Sequence, residues 1–114
     1  MKVVRNKISM AELNEMSKKM FGGLVKAVVD IEKGIMVVDA DMHADQEELL
    51  LEEGSAQENL WGINIFPDKL KGDGWIVFDS MINIRPAQEN NSRSVENSQL
   101  QKKIKTVVDK LVTL

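Results

Sequence analysis

The chain has 114 residues, a size that fits one domain built around one hydrophobic core. Hydrophobic residues make up 43% and charged residues 29%, ordinary globular usage that argues against disorder. The absence of cysteine excludes disulfides, thiolate zinc sites and cysteine nucleophiles, and a net charge of −3 gives no basic nucleic-acid footprint.

The opening MKVVRNKIS has no apolar run behind its positive charges, which argues against a signal peptide. No apolar run reaches membrane-spanning length, so a cytosolic protein is the expectation. Residues 2–8 read as a short strand rich in β-branched residues. Ser9 with Glu12 is a capping-box pattern, and it predicts a helix over 10–21 that Gly22-Gly23 stops.

Residues 24–40 read as a hairpin turning at Lys33-Gly34. Closing the turn between Glu32 and Ile35 pairs Ile31 with Met36, Val29 with Val38 and Ala27 with Ala40. A helix is predicted over 42–53, with Asp41 as N-cap and Gly54 as stop. Strands follow at 60–66 and 75–85, with Ile65 opposite Ile76 and Ile63 opposite Phe78. In the second of these, Ile76, Phe78, Ser80, Ile82 and Ile84 face the core, while Asp79, Asn83 and Arg85 face away. Residues 86–97 are a polar loop. The last helix, 98–112, carries the apolar stripe Leu100, Ile104, Val107, Val108 and Leu111.

The order β-α-β-β-α-β-β-α predicts a single α+β domain over 1–114. Its sheet is mostly antiparallel, with about five strands and helices against one face. The other face then carries Asp30, Asp39, Asp79, Asn83 and Arg85, and meets water, a ligand or a second copy.

Two stretches carry candidate chemistry. In VDADMHADQEE, Asp39, Asp41, His43 and Asp45 alternate, so on a continued strand they share one face. Three carboxylates and an imidazole could hold a divalent cation such as Mg²⁺, Mn²⁺ or Ca²⁺. If the chain turns helical near residue 42, the same acids instead serve the start of a helix. A calcium loop counted from Asp41 fails, because Gln46 stands where such loops need glycine. A serine-hydrolase arrangement of His43, Asp79 and Ser80 has no nucleophile-elbow motif, and Ser80 and Asp79 are expected on opposite faces.

The second stretch is INIRPAQENNSRSVEN. Arg85 and Arg93 are planar forks suited to an anion, and Asn83, Gln88 and Asn91 offer amides at a strand end and in the loop after it. The leading expectation is therefore a small binding or interaction module for a protein or a small anionic ligand, with Arg85 as clamp and Asn83 and Gln88 orienting it. A metal-dependent hydrolase built on Asp39, Asp41 and His43 is the second. A homodimer joined through the polar sheet face or an edge strand is the third. No cofactor is predicted beyond the divalent cation that the second expectation admits.

The stretches HADQEELLLEEGS, LWGINIFP and SMINIRPAQENNSRSVEN resemble those of a family of small bacterial proteins classed as a domain of unknown function. The resemblance runs from about residue 24 to the final helix. It implies a bacterial, stand-alone, cytosolic protein, and it implies no activity, cofactor or catalytic residue.

Overall fold

The computed structural model describes residues 1–20 and 22–114. Among the described residues there are seven strands: β1 Lys2–Val4, β2 Ile8–Ser9, β3 Val25–Asp30, β4 Ile35–Val38, β5 Leu60–Ile65, β6 Ile76–Val77 and β7 Val112–Thr113. Three helices join them: α1 Met10–Ser17, α2 His43–Glu52 and α3 Ser98–Leu111. The main sheet has five strands in the order β1-β4-β3-β5-β6, every neighbour antiparallel. This is the expected α+β domain. The expected first strand splits into β1 and β2, and β2 pairs in parallel with β7 at the far end of the chain.

Capping chemistry sets two of the helix starts. The Ser9 hydroxyl accepts the N–H of Glu12 at 3.1 Å, but the Glu12 carboxylate pairs with Lys2 instead of closing the box. The helix ends at Ser17, and the expected end at Phe21 lies outside the described residues. Asn97 caps α3 by accepting from Gln99 and Leu100. The foreseen stripe of α3 is the buried one, with Ile104, Val108 and Leu111 in the core and Leu100 and Val107 partly buried beside it.

The β3–β4 hairpin is real, but its register differs from the expected one by two residues. Ala27 lies opposite Val38, and Val29 opposite Met36. Asp30 causes the shift. Its Oδ1 accepts the N–H groups of Glu32 and Lys33, both at 2.9 Å, and its backbone carbonyl accepts that of Gly34 at 3.0 Å. The loop is therefore 31–34, with Gly34 at φ +67° where a side chain would be strained. Because the shift is even, each residue keeps its face.

The sheet is covered on both faces, a correction to the expectation of helices on one. Ala27, Val29, Met36, Val38, Trp61, Ile63 and Ile65 pack with α1 and α3. Val28, Ile35, Val37 and Leu60 pack with Leu50 of α2. The supposed polar face is thus apolar where it meets α2. Asp30, expected on an open face, is buried and takes a 2.6 Å hydrogen bond from Ser55. Trp61 and Trp75 are both core residues.

The expected strand 75–85 is the largest departure. Ile65 does pair with Ile76, but the ladder stops after Asn64–Val77, before Phe78 could pair. The chain then crosses the edge of β5. Phe78 packs in the α1/α3 core, whereas Ile82 packs in the α2 core. Between them Ser80 is buried and opens a 3-10 turn at Met81–Asn83. The alternating pattern serves two different cores rather than one strand.

Candidate functional site

Of the five residues expected to bind a ligand, Asn83 is buried and Arg85 half-buried, while Gln88, Asn91 and Arg93 are exposed. Asn83, expected to point away from the core, is fully buried. Its Oδ1 accepts the Gly62 N–H at 2.8 Å, and its Nδ2 donates to Gly62 O at 2.9 Å and Arg93 O at 3.0 Å. Arg85 lies 4.2 Å above the Trp61 ring. It donates to the carbonyls of Ile82 at 3.1 Å and Gln57 at 2.6 Å, to Leu60 O, and to Gln88 Oε1 at 3.0 Å. Burial holds its pKa below the ordinary guanidinium range, with Glu47 opposing the shift. Gln88 is held in turn by the Glu58 carbonyl.

The polar loop is exposed along most of its length, but hydrogen bonds gather it around one buried side chain. Asn90 is buried at its centre. Its Nδ2 lies within reach of the carbonyls of Asn83, Ser92 and Ser94, and its Oδ1 accepts Glu96 N–H at 2.8 Å. Asn91 is exposed, and only its backbone N–H is tied, to Glu96. Of the five expected binding residues, Arg93 lines the cavity described below.

The four alternating residues scatter. Asp39 takes a positive φ of 64° and lies 3.9 Å from Lys19. Asp41 is exposed and does not cap α2, whose N-cap is Met42 with no side-chain hydrogen bond. Asp45 is exposed beside Glu48 and Met1. His43 turns into the sheet. Helix formation from residue 43 breaks the period of two that would align them. Among the described residues, no group of three or more His, Asp or Glu is placed to hold a metal ion.

His43 leads to the cavity that matters. A cleft of about 190 Å³ opens between the start of α2, the strands below it and the chain that crosses the edge of β5. Lys26 comes from β3, Met42 and His43 from the start of α2, Asn64 from β5, and Asp79, Met81 and Arg93 from the crossing segment and the loop beyond it. Lys26 is anchored there by donating to the Asp41 carbonyl at 2.9 Å. Arg93 and Asp79 are paired at 2.6 Å.

His43 is 8% exposed, and its Nε2 lies 2.8 Å from the carbonyl oxygen of Ile63. A carbonyl can only accept, so Nε2 carries the proton and Nδ1 is the acceptor of the neutral ring. Burial lowers the His43 pKa most strongly. The Ile63 hydrogen bond opposes this, Lys26 and Arg93 add to it, and Asp79 opposes it. At neutral pH the cleft thus holds two cations, one carboxylate and a neutral imidazole.

His43, Asp79 and Ser80 all line this cleft, yet they form no catalytic relay. The Asp79 carboxylate is on Arg93, His43 Nε2 is on Ile63, and the Ser80 hydroxyl accepts the Ile82 N–H at 3.3 Å. A triad needs those three groups bonded to one another. Sequence reasoning missed Lys26 and Asn64. Asn64 carried a usable signal, as a polar residue between Ile63 and Ile65 in an otherwise apolar strand.

A family model described as a protein of unknown function, DUF5674, matches residues 2–111. The chain belongs to this family. Comparison with curated proteins and with solved structures gave no match. No helix among the described residues is long and apolar enough to cross a membrane.

Proposed function

We propose that this member of the family is a small-ligand-binding domain, and that the His43 cleft takes a small anionic ligand. The observation that supports it is the convergence of Lys26, Arg93 and the uncapped start of α2 on one cavity, from three separated parts of the chain. Two cations against one carboxylate leave a local positive balance in a chain of net charge −3. The positive end of a helix adds to that balance. The cavity lies below the roughly 300–1,000 Å³ of sites for drug-sized molecules, so the ligand is small. Met42 and Met81 at 56% and 64% exposure give the mouth an apolar rim.

The test is an amide NMR titration of the full chain with phosphate and with short carboxylates. Saturable shifts at Lys26, His43, Ala44, Asn64 and Arg93 are expected. Lys26→Gln should weaken them by about tenfold, the loss of one charge-assisted hydrogen bond. Absence of saturable shifts there, or shifts untouched by Lys26→Gln, would overturn the proposal.

A further inference from the structure

We infer that the ligand of this cleft is an amphiphilic anion, a short-chain monocarboxylate of about four to six carbons, whose charged group meets Lys26 and Arg93 while its alkyl chain lies between Met42 and Met81. This rests on the anion proposal above and narrows it to one class of compound.

Two methionines line the cleft and are mostly exposed, Met42 by 56% and Met81 by 64%. Single exposed apolar side chains are common on any protein. These two come from separate elements and share one opening, and pinned neighbours hold each of them there. Met42 precedes His43, whose ring is bonded to the Ile63 carbonyl. Met81 stands between Ser80, which is buried, and Ile82, which packs in the α2 core. Met42 is also the N-cap of α2, where Ser, Thr, Asp or Asn would satisfy a free N–H group. A thioether in that place gives up the capping bond and leaves apolar surface at the mouth. Ala44 and Ile82 add to the apolar lining.

An inorganic anion would answer Lys26 and Arg93 and leave both methionines in water. A neutral apolar ligand would cover the methionines and leave the cations unanswered. A carboxylate with an alkyl chain uses both sets, and the flexible, polarisable thioethers adapt to the chain. The size follows from the cavity. Its volume of about 190 Å³ equals roughly six waters at about 30 Å³ each. Butyrate has about that many non-hydrogen atoms, and hexanoate adds methylenes that extend to the methionine rim.

The experiment is calorimetric titration of the full chain with acetate, butyrate and hexanoate, and with phosphate as the anion that has no alkyl chain. Each buried methylene is expected to tighten binding about fourfold, so butyrate should bind at least about tenfold more tightly than acetate. Met42→Gln and Met81→Gln keep side-chain length at exposed positions, which protects the fold, and remove apolar surface. In the double variant the advantage of hexanoate over acetate is expected to shrink by at least about fivefold. A second readout needs no variant. The ε-methyl resonances of Met42 and Met81 should shift with hexanoate and not with phosphate. Equal saturable binding of acetate, butyrate and hexanoate would overturn the alkyl-chain inference and leave the anion proposal standing. A gain with chain length that the double variant keeps in full would do the same, since the chain would then lie elsewhere. Absence of binding by all three, and by phosphate, would overturn both.

Discussion

One carboxamide, that of Asn83, satisfies both backbone groups of Gly62. Its oxygen accepts the Gly62 N–H at 2.8 Å and its nitrogen donates to the Gly62 carbonyl at 2.9 Å. Gly62 lies in β5, opposite Val28 on one side. On its other side β6 has already ended, and the side chain takes the place of a neighbouring strand. Edge N–H and C=O groups need partners when buried, and here an amide of the same shape supplies them. Asn83→Ala should therefore destabilise the fold by about 2–4 kcal/mol, since it strands one donor and one acceptor. Asn83→Asp should be at least as damaging, because it loses the donor and turns a charge toward the carbonyls of Gly62 and Arg93. Urea denaturation of the two variants measures this, and a loss under about 0.5 kcal/mol would show that water replaces the amide.

Gly62 is also the residue that lets the chain cross. A Cβ built on it would lie 2.6 Å from both Cβ and Oγ of Ser80 and 3.1 Å from Ile82 Cγ1. Contacts that short force the crossing segment outward. Gly62→Ala should cost about 1–3 kcal/mol, as overpacking does. Ser80→Gly removes the obstructing atoms, so the double variant should be more stable than the sum of the single losses implies. A double-mutant cycle by thermal or urea unfolding checks this, and strict additivity would mean that the two residues do not meet.

These two residues also show what a sequence can and cannot reveal. The α3 stripe, the Ser9 cap, the hairpin and the Ile65–Ile76 pair were all legible, because each depends on neighbours along the chain or on one apolar period. The hairpin register was not, since a pattern of period two is unchanged by an even shift and only the Asp30 turn decides between the alternatives. The alternation from Ile76 to Ile84 suggested one strand because two cores on opposite sides of the sheet can share it. Asn83 and Arg85 looked like surface residues because polarity usually marks the surface. Gly62, the partner of Asn83, and Gln57 and Leu60, partners of Arg85, offer backbone groups more than twenty residues away, which no local pattern contains. The cleft was hidden for the same reason, as its lining comes from β3, α2, β5 and the segment after β6.

Arg85 should behave as a structural residue. Its guanidinium bridges the carbonyls of Gln57, Leu60 and Ile82 while stacking on Trp61. Lysine cannot reproduce a planar fork that reaches several acceptors at once. Both Arg85→Lys and Arg85→Ala should lower stability, the alanine variant by about 2–4 kcal/mol. Neither should weaken anion binding in the His43 cleft by more than about threefold under conditions where the variant is folded. Paired unfolding and titration experiments separate these effects. A variant that keeps full stability and loses ligand binding would return Arg85 to the role of anion clamp.

His43 should give the fold a distinctive pH response. Its folded pKa lies below the ordinary imidazole value, first because of burial. Lys26 and Arg93 push the same way, and Asp79 and the Ile63 hydrogen bond resist. Between the lowered value and the unfolded value of about 6.5, the unfolded chain binds more protons than the folded one. Stability therefore rises with pH through that window. It is complete above the unfolded value and falls as acid forces a proton onto the buried ring. His43→Gln keeps a donor toward Ile63 and cannot titrate. The stability difference between wild type and this variant should shift in favour of the variant as pH drops from about 7.5 to about 5. Carboxylates titrating elsewhere affect both chains alike and cancel in the difference. Urea midpoints measured across that range test the prediction, and parallel curves would mean that His43 is no more protected from protons in the fold than in the open chain.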